Sequence, residues 1–205
     1  MNTVDRFENQ GWAVNYPNGF TYNGTSYTGN AFSSNAFIKT VCGITNATSS
    51  DNINSTGCPW CAVSMLILYK GNLSNETGNR SNTFYAVKET VTKSSNGTTF
   101  AYARKNFTAN LGRKSITITQ PNNTISLNDA IIHLSGGGFV MFCLTRPKGM
   151  HFVLAEGIDN SKTNALDRIL VIAPDGGIKR TLGEALERGK VAANVDNILT
   201  MRQIS

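Results

Sequence analysis

Gly57–Tyr69 reads GCPWCAVSMLILY, an apolar stretch with two cysteines that follows abruptly on the polar, Asn-containing residues 49–56, SSDNINST. The apolar residues lie nearly all round a helical projection, which predicts a buried helix that ends at Gly71. A thiol at the N-terminus of a helix faces unpaired backbone N–H groups and the positive end of the helix dipole, and both favour the thiolate. The segment therefore predicts chemistry at Cys58 or Cys61.

The composition predicts one domain. A chain of 205 residues with 40% hydrophobic content is long enough for a core of its own. We expect a single domain over 1–205, with an Asn/Gly/Ser/Thr-rich N-terminal elaboration over 1–50 and a core over 51–205. The net charge of +6 is spread along the chain without a long basic run, which indicates a mildly cationic surface. We expect a peptide or protein substrate, with a cell-wall polymer as a further candidate partner and no nucleic-acid partner.

The sequence contains no targeting or membrane segment of a standard kind. No stretch approaches the roughly 20 apolar residues that span a bilayer. Residues 1–8, MNTVDRFE, lack the basic and then apolar pattern of a signal peptide. We expect a protein without a membrane span that is either cytoplasmic or exported by a non-standard route, as a virion-associated protein or an effector would be.

The four cysteines predict free thiols. Cys42, Cys58, Cys61 and Cys143 are too sparse for a disulfide scaffold in a chain of this length. Zinc sites usually show two closely spaced ligand pairs, and only one such pair is present. We expect neither a metal nor another cofactor. Small buried thiols at a helix start are the structural alternative for Cys58 and Cys61.

The remaining pattern predicts an α+β fold, with a sheet packed on the cysteine helix. An Asn-Gly pair within Tyr22–Thr25 indicates a hairpin. Capping residues and apolar periodicity indicate three more helices, over 81–91, 126–134 and 181–188. Extended segments are predicted within 98–119, where 115–119 alternates as a half-buried strand, and over 139–145, 151–157, 169–173 and 197–202.

A histidine and an aspartate mark the second part of the candidate site. The chain has only two histidines, and His133 falls near the end of a short helix, where a histidine is ordinary. His151 begins an apolar strand and is the better general base. The next antiparallel strand returns its C-terminal end, residues 173–175, beside the start of the His151 strand. Asp175 is therefore favoured as the residue that orients His151, whereas Asp159 lies at the far end of that strand.

These segments resemble the papain-like cysteine peptidases of the bacteriocin-processing type. Gly57-Cys58 and the apolar run that follows are similar to the nucleophile helix of that family. Residues 138–159 are similar to its second signature, an apolar strand followed by Gly-His-Phe-Val and a second strand. The resemblance covers roughly residues 50–180. It implies a papain-like α+β fold, with the nucleophile helix packed on an antiparallel sheet.

The resemblance also implies residue roles, with two departures. It makes Cys58 the nucleophile and His151 the general base of a catalytic triad. The family's Asp-Pro is Ala173-Pro174 here, so the acid has either moved to Asp175 or been lost. The family's oxyanion Gln has no counterpart before the cysteine. Asn52 and Asn54 are the nearest amides that could take its place.

Two weaker resemblances keep other assignments open. Residues 59–62, PWCA, resemble the nucleophile motif of amidases of the CHAP and NlpC types, which would make Cys61 the nucleophile. The pair Cys58 and Cys61 also resembles the CPYC motif of glutaredoxins, which would indicate a thiol-disulfide oxidoreductase. The apolar pattern downstream favours Cys58. We expect a cysteine peptidase or amidase that forms a thioester intermediate, as in a phage-associated or cell-wall lysin or a toxin-like effector. A catalytically impaired papain-like interaction domain is the alternative.

Overall fold

The computed structural model of the protein describes residues 19–22, 25–28, 58, 62, 65, 66, 107–111, 114–147, 149–174 and 179–205. Cys58, Ala62, Met65 and Leu66 are helical and belong to the segment that we call the cysteine helix. The other elements are β1 Gly19–Tyr22, β2 Thr25–Thr28, β3 Phe107–Leu111, β4 Lys114–Ile118, α1 Leu127–Ser135, β5 Phe139–Arg146, β6 Gly149–Ile158, α2 Ala165–Arg168, β7 Ile169–Ile172, β8 Lys179–Thr181, α3 Leu182–Arg188 and β9 Ile198–Ile204.

Seven strands form one sheet in the order β3-β4-β9-β5-β6-β7-β8. Every neighbouring pair in it is antiparallel. Strand β9 therefore lies between β4 and the central strand β5. The helices and this antiparallel sheet confirm the predicted α+β class. The hairpin predicted at Tyr22–Thr25 is also confirmed, because β1 pairs with β2 and Tyr22 lies opposite Thr25.

The central strand β5 is buried on both sides, because its residues from Phe139 to Leu144 all lie inside the protein. Successive side chains of a strand point to opposite faces of the sheet. Val140, Phe142 and Leu144 belong to the apolar core beneath α1, α2 and α3, and we call this side the helical face. The residues between them point to the other side, which we call the cysteine face.

The cysteine helix packs on the cysteine face. Its four described residues are buried but are not part of the core on the helical face. Cys58 acts electrostatically on Cys143, whose side chain leaves β5 on the cysteine face. The protein is thus layered, with helices on both sides of the sheet. This arrangement explains why β5 is a continuous apolar run from Phe139 to Leu144 rather than an alternating one.

Local sequence signals set the ends of α1 and α3. Ser126 caps α1 by accepting a hydrogen bond from the backbone N–H of Asp129 (3.2 Å). Thr181 and Glu184 form a reciprocal capping box at the start of α3. Both helices were predicted at these positions and both are confirmed.

The glycines after α1 leave space for the side chain of His133, a residue of α1 that contacts the sheet. His133 Nε2 lies 3.0 Å from the backbone oxygen of Ile204 in β9. Because a carbonyl oxygen can only accept, Nε2 must carry the proton. The His133 ring occupies the space that a Cβ at Gly138 would fill. Gly138 is therefore needed for the close approach of this ring to the sheet.

Several predicted boundaries change or lie outside the described residues. Strand β6 begins at Gly149 rather than at 151, and β9 extends to Ile204. The predicted helix over 81–91, most of 58–70, the extended region over 98–106 and the boundary at residue 50 fall outside the described residues. No helix of the described part is long and apolar enough to cross a membrane.

Gly138→Ala should destabilise the protein by about 2 kcal/mol, because the new methyl group overlaps the His133 ring. Gly136→Ala is the matched control. A Cβ at Gly136 makes only ordinary contacts at 3.5 and 3.6 Å, and its φ of −76° suits alanine. We expect that variant to change the free energy of unfolding by less than about 0.5 kcal/mol. Urea unfolding of the two variants measures the difference, and equal losses would contradict this role of Gly138.

Candidate active site

Cys58 is a buried cysteine in the cysteine helix, and its thiol does not belong to a disulfide. Its side chain is only 4% exposed, and Ala62, Met65 and Leu66 in the same helix are fully buried. The predicted buried helix is confirmed at these four positions.

A second thiol, Cys143, lies within electrostatic reach of Cys58. The pKa of the Cys143 thiol is raised to about 11, first by burial and second by the negative charge of a Cys58 thiolate. A hydrogen bond with the Thr200 side chain and the positive charge of Arg202 oppose these effects but are weaker. Cys143 is therefore a neutral thiol near pH 7.

Arg202 and Thr200 reach this position from the neighbouring strand. Cys143 lies opposite Thr200, and Met141 opposite Arg202, so Arg202 is a diagonal neighbour of Cys143 on the same face. Arg202 is 1% exposed, and burial lowers the pKa of its guanidinium to about 10, with the Cys143 thiolate opposing this change. Sequence analysis missed both residues. The available signal was a charged residue at a buried position of the apolar strand β9.

His151 lies on the other face of the sheet. It is the third residue of β6 and pairs with Leu144, a member of the core on the helical face. Cys143 pairs with Phe152, the next residue of β6. Directly opposed side chains share a face, so His151 and Cys143 leave the sheet in opposite directions. The His151 side chain is 3% exposed.

This register restricts where Cys58 and His151 can meet. The sheet separates its two faces except at its rims. At one rim β5 ends at Arg146, opposite Gly149 of β6, and we call this the Arg146 rim. His151 lies only two residues from Gly149. A joint site of Cys58 and His151 must therefore be built at the Arg146 rim.

The strand that follows β6 runs toward the same rim. β7 pairs with β6 in antiparallel fashion, with Ile158 opposite Ile169 and Leu154 opposite Ile172. The sequence predicted that this strand returns toward the start of the His151 strand. The prediction is confirmed up to Ile172, the last residue of β7. Asp159 lies at the other end of β6, where its Oδ1 accepts hydrogen bonds from the backbone N–H and the hydroxyl of Ser161.

The other predicted site residues, Asp175, Cys61, Asn52 and Asn54, lie outside the described residues, and their assignments stay predictions. Within the described part of the chain, no group of three or more His, Cys, Asp or Glu side chains could hold a metal ion. Comparisons with protein-family models, with curated proteins and with solved structures find no match to this chain. Function is therefore inferred from the residues of the chain itself.

The pKa of Cys143 predicts a pH-dependent stability. The value is about 11 in the folded protein against an ordinary 9.0, so its contribution is fully present below pH 9 and is lost as the pH rises toward 11. Between these limits the wild type should lose on the order of 2 kcal/mol relative to Cys143→Ala. Urea unfolding from pH 8 to 11 measures this difference.

Met141→Ala is the control for the Cys143 prediction. It removes an apolar side chain from the same face of β5 but no titratable group. Its stability deficit relative to the wild type should stay constant over this pH range. A Cys143→Ala deficit that is equally constant would contradict the raised pKa.

Proposed function

We propose that this protein is a papain-like cysteine hydrolase that cleaves a peptide or amide bond at the Arg146 rim. The observation that carries the proposal is the topology around His151. A buried helix bearing Cys58 covers one face of the sheet, His151 lies near a rim, and β7 runs toward that rim. The chain order of cysteine, histidine and acid is the order of the family that the sequence resembles.

In the proposed reaction the Cys58 thiolate attacks the carbonyl carbon of the substrate. The negative charge that forms on the carbonyl oxygen would be stabilised by the Cys58 backbone N–H and by the amide of Asn52 or Asn54. His151 would give its proton to the leaving amine, which leaves a thioester on Cys58. His151 would then take a proton from water as the water attacks the thioester, and the free acid would be released.

The remaining roles follow from the chemistry of imidazole. Asp175 would accept a hydrogen bond from the second ring nitrogen of His151 and so fix its tautomer and orientation. Leu154 follows His151 by three positions, and Asp175 follows Ile172, the partner of Leu154, by three positions as well. Helix-dipole stabilisation of the Cys58 thiolate is needed because burial alone favours the neutral thiol.

Two observations favour a second candidate, a papain-like interaction domain without catalytic activity. Cys143, whose side chain lies on the cysteine face, is held in its neutral thiol form by burial. The register also directs His151 to the opposite face from Cys143. A domain that retained the papain-like fold but had lost catalytic activity would show both features.

Alkylation by iodoacetamide at pH 6 tests these alternatives, with the modified thiol mapped by mass spectrometry. A hydrolase site predicts selective modification of Cys58. His151→Ala should slow that modification by about tenfold or more, because the thiolate loses its partner. His133→Gln is the matched control, since it changes the other histidine and keeps a side-chain donor. It should leave the rate unchanged.

The other outcomes point elsewhere. Slow and equal labelling of all four thiols would contradict the hydrolase and support the interaction domain. Selective, His151-dependent labelling of Cys61 would move the nucleophile to that residue. A reducible Cys58–Cys61 bridge would indicate a thiol-disulfide oxidoreductase.

A further inference from the structure

We draw no further inference here: the strongest candidate, a redox-sensitive pair formed by the buried thiols of Cys58 and Cys143 on the cysteine face, rests on the raised pKa of Cys143 alone, which does not place the two sulfur atoms at bonding distance.

Discussion

The alternation of side chains along β5 is the constraint on which the rest of the structure depends. Every residue of this strand from Phe139 to Leu144 is buried, so both faces of the sheet must be covered by other parts of the chain. The helical face is covered by α1, α2 and α3, and Cys58 of the cysteine helix lies within electrostatic reach of Cys143 on the cysteine face. The same alternation determines which polar side chains lie on the same face of the sheet. It places Cys143 and His151 on opposite faces.

Desolvation is the dominant electrostatic effect on the cysteine face. Burial moves the pKa of Cys143 up and that of Arg202 down, so each group moves toward its neutral form, although the two attract each other. Attraction between buried charges rarely repays their loss of hydration. The interior of this face therefore disfavours a thiolate. In the proposed hydrolase, activation of Cys58 would come from its position at the helix N-terminus and from His151 near the rim.

Much of the local structure could be predicted from sequence, because it depends on neighbouring residues. Ser126 and the glycine run fixed α1, Thr181 fixed the start of α3, and the Asn-Gly pair marked the hairpin. Non-local features could not be predicted in this way. The insertion of β9 beside β5 and the burial of Arg202 depend on pairings between distant residues, as does the face on which His151 lies. Periodicity placed His151 on a strand but could not give its register.

Titration of the two imidazoles by NMR tests the central claim, that Cys58 and His151 form one site at the rim. A thiolate close to an imidazolium stabilises the charged ring. With the His133 signals assigned from His133→Gln, His151 should titrate at a higher pH in the wild type than in Cys58→Ala. Identical His151 titration curves in both proteins would contradict the claim.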